Sequence, residues 1–162
     1  MVALPAWLRS LLWKLVKRSI RRKFPQVQPI DPATLTAQLQ QEPKPVLLDV
    51  RSASEYAVSH LPAAQQIDPA TKDFSDLPYP PDTSIVCYCS VGYRSARLCA
   101  RLQAAGYQNV RNLEGSAFEW VNQGYPVYRE EQRVRSIHPY NAQWGLLLDK
   151  ADVEKTEREL PP

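Results

Sequence analysis

The sequence predicts an α/β fold with a mostly parallel sheet, and three observations carry that prediction. Short apolar runs of strand length alternate with helical segments, which is the order that covers a parallel sheet on both faces. A six-residue turn with a glycine inside it joins the clearest of those runs to a helix. The chain of 162 residues is 44% apolar and 23% charged, an ordinary globular mix for one domain with extensions.

The first 28 residues read as a basic amphipathic helix. Leu4, Trp7, Leu8, Leu11, Leu12, Leu15, Val16 and Ile20 follow helical spacing, Pro5 suits the start, and Pro25 and Pro29 stop the pattern. A globular body is expected over 29–130 and a C-terminal extension over 131–162. Within the body, helices are expected at 34–41, 52–58, 95–105 and 116–123. Ser52 with Glu55 has the spacing of a capping box, and Gly106 and Gly124 stop the helices before them. Val46–Val50, Ala64–Ile67, Ile85–Tyr88 and Val110–Leu113 read as strands. Pro69 to Asp82 is a proline-rich loop. The extension holds an apolar island, Ile137–Leu148, and ends in a charged run from Asp149 to Glu159.

The net charge of +3 hides an asymmetry. Arg9, Lys14, Lys17, Arg18, Arg21, Arg22 and Lys23 precede the first carboxylate, Asp31. The remainder carries thirteen basic and seventeen acidic residues, a net of −4. The basic character therefore belongs to the arm, and a nucleic-acid binder is not indicated: the arm lacks base-stacking and polar reading groups. Its stripe and cations fit an anionic membrane surface, docking on a protein partner or on the body itself, or an Arg-rich organellar leader. No apolar run approaches the roughly 20 residues that span a bilayer. Three cysteines without regular spacing argue against a disulfide scaffold and fit a reducing compartment, cytoplasmic or organellar, with peripheral membrane attachment as an option. Cys87, Cys89, His60 and His138 make no metal-ligand pattern, and no cofactor is implied.

The informative stretch is Cys89-Ser90-Val91-Gly92-Tyr93-Arg94-Ser95. It lies beyond the carboxyl end of a predicted strand, where open α/β sheets bind ligands. Its backbone N–H groups can curl into an anion-binding nest, backed by the positive end of the next helix. Gly92 supplies a backbone freedom that other residues lack. A cysteine thiol ionises near 8.5 when free and at about 3.5–7.5 in comparable sites, so Cys89 is the candidate nucleophile. Arg94 adds charge to grip an anionic substrate, and Ser95 either caps the helix or hydrogen-bonds the sulfur. Cys87 and Cys99 are expected in the core, with a resolving thiol as the alternative for Cys99.

Three ordered signatures identify a resemblance. Leu48-Asp49-Val50-Arg51, Glu55-Tyr56 and His60-Leu61-Pro62 resemble the first signature of single-domain rhodaneses (sulfurtransferases). Cys89 to Ser95 resembles their active-site loop. Leu113-Glu114-Gly115, Trp120 and Gly124-Tyr125-Pro126-Val127 resemble their closing signature. Ser59, Ala63 and Glu114 depart from it by replacing glycines. The resemblance implies a rhodanese-like five-stranded sheet and a sulfane sulfur carried as a persulfide on Cys89. Ser90 to Ser95 would then bind substrate, with Asp49 and Arg51 as supporting residues. The partners implied are a small sulfur donor and a thiophilic acceptor. A membrane-tethered relay or scaffold with little turnover is the second reading. A small phosphatase or arsenate reductase is the third, disfavoured because only four residues separate Cys89 from Arg94, where those enzymes have five.

Overall fold

The structure, a computed structural model, describes residues 4–149. Of the expected charged run, everything beyond Asp149 lies outside them.

Five strands form one parallel sheet: β1 (Gln28–Ile30), β2 (Val46–Asp49), β3 (Gln65–Gln66), β4 (Ile85–Tyr88) and β5 (Val110–Leu113), in the spatial order β1-β5-β4-β2-β3. Central β4 is buried along its whole length, as its uninterrupted apolar run requires. Alternate residues face opposite layers. Leu47, Val86 and Tyr88 join Leu35, Phe118 and Trp120 on one side. Leu48, Ile85 and Cys87 join Leu98, Cys99 and Leu102 on the other.

The helices are α1 (Ala6–Lys23), α2 (Pro32–Leu39), α3 (Ala53–Val58), α4 (Tyr93–Ala104) and α5 (Ser116–Asn122). Asp31 caps α2 by accepting from the Thr34 N–H at 2.9 Å. Ser52 and Glu55 form the reciprocal capping box of α3. Gly106 and Gly124 both have positive φ just past a helix end.

Several elements differ from expectation. The sequence reading has no strand at Gln28–Ile30, because Pro29 and three residues give too little signal. Pro29 is tolerated because β1 is an edge strand. The 64–67 strand shortens to Gln65–Gln66. The hairpin β6 (Val127–Arg129) and β7 (Gln132–Val134) was not anticipated. Helix α4 opens at Tyr93 rather than at Ser95, because Gly92 takes a φ of 114° at the cap and turns the chain earlier.

Helix α1 docks on the body. Trp13 is buried in the main core, with Leu12 and Val16 packed against it. Three cations on its flanks meet acids of the body and extension: Arg9 with Asp149 at 3.0 Å, Lys17 with Glu119 at 2.6 Å and Arg21 with Glu114 at 2.5 Å. Glu114, one of the departures from the rhodanese pattern, therefore has an ion-pair partner on the arm. The apolar island lies beside the arm. Ile137, Leu147 and Leu148 are buried there, and Trp144–Leu147 forms a short 3-10 helix. Among the described residues, no helix is long and apolar enough to cross a membrane.

Candidate active site

Cys89 follows β4 directly, and its backbone is held from α5. Ala117 N–H donates to Cys89 O at 3.0 Å, and Phe118 N–H donates to Ser90 O at 3.1 Å. Ser116 Oγ accepts from the Cys89 N–H at 3.2 Å and donates to Leu113 O at 3.0 Å. Ser116 itself has a φ of 50°, following Gly115 at 72°. This backbone path turns the start of α5 onto the loop.

The sulfur receives the Gly92 N–H, and the Ser95 hydroxyl stands beside it. Gly92 N–H lies 3.1 Å from Cys89 Sγ and Ser95 Oγ lies 3.5 Å from it. Tyr93, Arg94 and Ser95 form the first turn of α4, the turn whose N–H groups have no intrahelical partners. Ser95 is thus inside the helix rather than at its cap, with its hydroxyl oxygen beside the sulfur. Its hydroxyl donates its one proton to Asn112 Oδ1 at 2.6 Å, and Asn112 Nδ2 donates to Gly92 O at 3.0 Å. Asn112 therefore locks both groups that face the sulfur.

Arg94 enters the site already paired. Its two terminal nitrogens donate to Glu55 at 2.9 Å each, and one also reaches Ser90 Oγ at 2.9 Å. Ser90 Oγ in turn donates to Glu55 Oε1 at 3.0 Å. Burial of Glu55 works to raise its pKa, but the Arg94 and Ser52 hydrogen bonds outweigh it and hold the carboxyl down at about 2. Arg94 is raised: burial works against its charge, and the Glu55 hydrogen bond together with the neighbouring negative groups outweighs that burial. In this structure the Arg94 guanidinium grips Glu55 while it lines the cavity beside Cys89.

Asp49 and Arg51 are fully buried. Arg51 Nε donates to Asp49 Oδ1 at 2.9 Å, and its Nη2 reaches Asp49 Oδ2 and Ser59 O. Tyr88 hydroxyl donates to Asp49 Oδ2 at 2.6 Å and accepts from the Leu61 N–H. Burial opposes the Arg51 charge, and the Asp49 hydrogen bonds and charge overcome it, leaving the guanidinium firmly protonated. The pair braces the end of β2 against the His60 turn. His60 stacks on Tyr56 at 4.3 Å and hydrogen-bonds Leu61 O.

Cys89 is 1% exposed, yet it lines a cavity of about 150 Å³ shared with Ser90, Val91, Tyr93, Arg94, Tyr140 and Trp144. The last two come from the apolar island. The Arg94 guanidinium lies 4.7 Å from the centre of the Tyr140 ring, so the extension roofs the sulfur. Phe24 packs edge-on against Tyr93 at 5.4 Å, placing the end of α1 beside the same loop. Cys87 and Cys99 are fully buried, and burial beside Cys87 pushes the Cys99 thiol well up, which leaves it a packed core group.

Sequence reasoning missed five contributors. Asn112 was signalled by a polar residue within an apolar strand. Glu55 was read as a cap and as part of the first signature, with no place beside the sulfur loop. Ser116 carried no signal beyond its place after glycine. Tyr140 and Trp144 belonged to the island whose destination the sequence left open.

A parallel five-stranded α/β sheet with a cysteine cradle at the end of its central strand defines the class. The chain belongs to the rhodanese-like domain family, whose profile matches residues 31–123. A protein named sulfurtransferase from Allochromatium vinosum is 32% identical over 105 residues, covering 65% of this chain and 98% of that one. A tRNA uridine(34) hydroxylase from Synechococcus elongatus is 36% identical over 93 residues, 52% of this chain and 34% of that one. The crystal structure of a rhodanese-like domain protein from Staphylococcus aureus superposes with a TM-score of 0.55 at 26% identity, covering 60% of this chain and 95% of that one. This chain spans about a quarter to a third of the longer relatives it matches.

Proposed function

We propose that this protein is a rhodanese-type sulfurtransferase that carries sulfane sulfur as a persulfide on Cys89. The observation that carries the reading is the Gly92 N–H donated to Cys89 Sγ at the start of α4, with the Ser95 hydroxyl beside the same sulfur. Family membership and the sulfurtransferase-named relative support it.

With thiosulfate as donor, the Cys89 thiolate attacks the outer sulfur. The new S–S bond forms as the bond to the sulfonate sulfur breaks, and sulfite leaves with that electron pair. A thiophile such as cyanide then attacks the terminal sulfur of the persulfide. Thiocyanate departs and the thiolate is restored with its electron pair. Neither step needs a proton from a general acid. The Gly92 N–H and the start of α4 serve the anionic sulfur before and after transfer. Arg94, fixed by Glu55, stands in the cavity wall as one half of a neutral ion pair.

Intact mass after incubation with thiosulfate tests the reading. A gain of one sulfur atom, lost in Cys89→Ala and retained in Cys87→Ala, is expected together with thiocyanate production from cyanide. Absence of the mass gain with every sulfane donor tried removes the proposal. The roof over the sulfur favours a second reading, a relay with little turnover of small donors. A persulfide on freshly purified protein combined with negligible thiocyanate production selects that reading. Turnover of para-nitrophenyl phosphate revives the phosphatase alternative.

A further inference from the structure

Helix α1 has two faces, and docking on the body uses only one. Leu12, Trp13, Val16 and Ile20 turn inward. Trp7, Leu11 and Leu15, spaced four residues apart on the outer face, remain 70%, 47% and 55% exposed. They are three of the five large apolar side chains exposed among the described residues.

The cations divide in the same way. Arg9, Lys17 and Arg21 are tied to Asp149, Glu119 and Glu114. Lys14, Arg18 and Arg22 repeat at four-residue intervals beside the outer apolar row, and all three are exposed. Among the described residues, no acid lies within ion-pair reach of them. Arg18 follows Leu15 by three positions, and Lys14 follows Trp7 by seven, so the cations share the face with the apolar row. That face continues into an apolar trough of about 370 Å³, lined by Leu12, Val16, Trp144, Leu146 and Leu147.

We propose that this outer face of α1 lies on an anionic lipid bilayer, with Trp7, Leu11 and Leu15 immersed among the acyl chain ends and Lys14, Arg18 and Arg22 on the headgroups. The charge pattern selects this occupant. Arg9 and Lys17, which protein acids neutralise, lie off this face, Arg21 borders it and is turned to Glu114, and the unneutralised row sits next to apolar side chains. A headgroup layer supplies anionic charge at the level of the cations and hydrocarbon just beneath. Tryptophan at the amino end of the row suits the boundary between the two. The helix is about 27 Å long at roughly 1.5 Å per residue and rests along the surface rather than through it.

Flotation of the full chain with vesicles tests the proposal, using phosphatidylcholine alone or mixed with phosphatidylglycerol. Binding is expected on the anionic vesicles only. It is expected to be lost at about 1 M salt, where screening acts within about 3 Å. Lys14→Gln/Arg18→Gln/Arg22→Gln is expected to weaken binding about a hundredfold, and Trp7→Ser/Leu11→Ser/Leu15→Ser to abolish it. All six side chains are exposed, and unchanged melting and circular dichroism confirm that the variants fold. Trp7→Phe supplies a second readout: wild-type tryptophan emission shifts to the blue on vesicles, and most of that shift is expected to vanish in this variant. No flotation with anionic vesicles, or equal flotation of the triple-serine variant, overturns the proposal. Concentration-dependent self-association that needs Trp7, Leu11 and Leu15, without vesicle binding, assigns the face to a second copy instead and also overturns it. Flotation does not read sulfur transfer, so its outcome stands apart from the persulfide proposal.

Discussion

Glu55 and Arg94 sit 39 residues apart in the chain and meet through two hydrogen bonds of 2.9 Å each, with Ser90 Oγ bound to both. The capping residue of a six-residue helix is thereby the anchor of the sulfur loop. Glu55 uses one oxygen to close its own capping box and both to hold Arg94.

This pairing makes stability depend on acidity. The Glu55 carboxyl titrates at about 2 in the folded chain against an ordinary 4.5. A lowered folded value contributes stability that is fully present above the ordinary value and lost as pH falls through the folded one. Allowing for solvent screening at the partly exposed Arg94, the contribution is on the order of 2 kcal/mol. Glu55→Gln is therefore expected to be less stable than wild type at neutral pH by about that amount, and the difference should close as pH falls toward 2. Urea midpoints across that range measure it; a gap that stays constant with pH contradicts the assignment.

Gly92→Ala tests the cradle. An added Cβ meets Asn112, Ile20 and Ser116 atoms at 3.4 to 3.6 Å, so there is room for it. The φ of 114° is the obstacle, and forcing a side chain into positive φ costs about 1–2 kcal/mol. Relaxation of the turn moves the Gly92 N–H away from sulfur. Sulfur transfer is expected to fall by about tenfold or more, in line with the worth of a hydrogen bond to a charged group. Stopped-flow persulfide formation is the measurement.

The roof predicts a change in acceptor range. Tyr140 is held over Arg94 by a cation–π contact, an interaction worth about 0.5–1 kcal/mol at a partly open site. Tyr140→Ala is expected to raise kcat/KM several-fold for a bulky dithiol acceptor and to leave cyanide nearly unaffected. Equal changes for both acceptors show that Tyr140 does not restrict entry.

Ala63 occupies a left-handed turn with a φ of 55°, at one of the positions where the rhodanese signature has glycine. Ala63→Gly is expected to stabilise the protein by roughly 0.5–1 kcal/mol, raising Tm by about 1–4 °C. Differential scanning calorimetry decides; an unchanged or lowered Tm means that the turn tolerates the Cβ without strain.

The parallel sheet was legible because Leu47–Asp49 and Ile85–Tyr88 are short apolar runs followed by turn and cap chemistry that acts locally. The cradle was legible for the same reason: Cys89, Gly92 and Ser95 are neighbours in sequence. What escaped depends on long-range meetings. Nothing local in Asn112 says that its amide bridges Gly92 and Ser95, and nothing in Tyr140 says that it stacks on Arg94. The arm was legible as an amphipathic helix, but not the division of its cations, since Glu114, Glu119 and Asp149 lie more than ninety residues away.

The Phe24–Tyr93 contact has a practical corollary for anyone shortening this protein to its family-matched region. Excising the leading thirty residues would strip the covering from Val91 and the neighbouring backbone, because Ile20, Phe24 and Val27 form one wall of the crevice there. A trimmed version would present a greasy, loosened loop, and a sluggish reaction from it would report the surgery rather than the chemistry of the intact molecule.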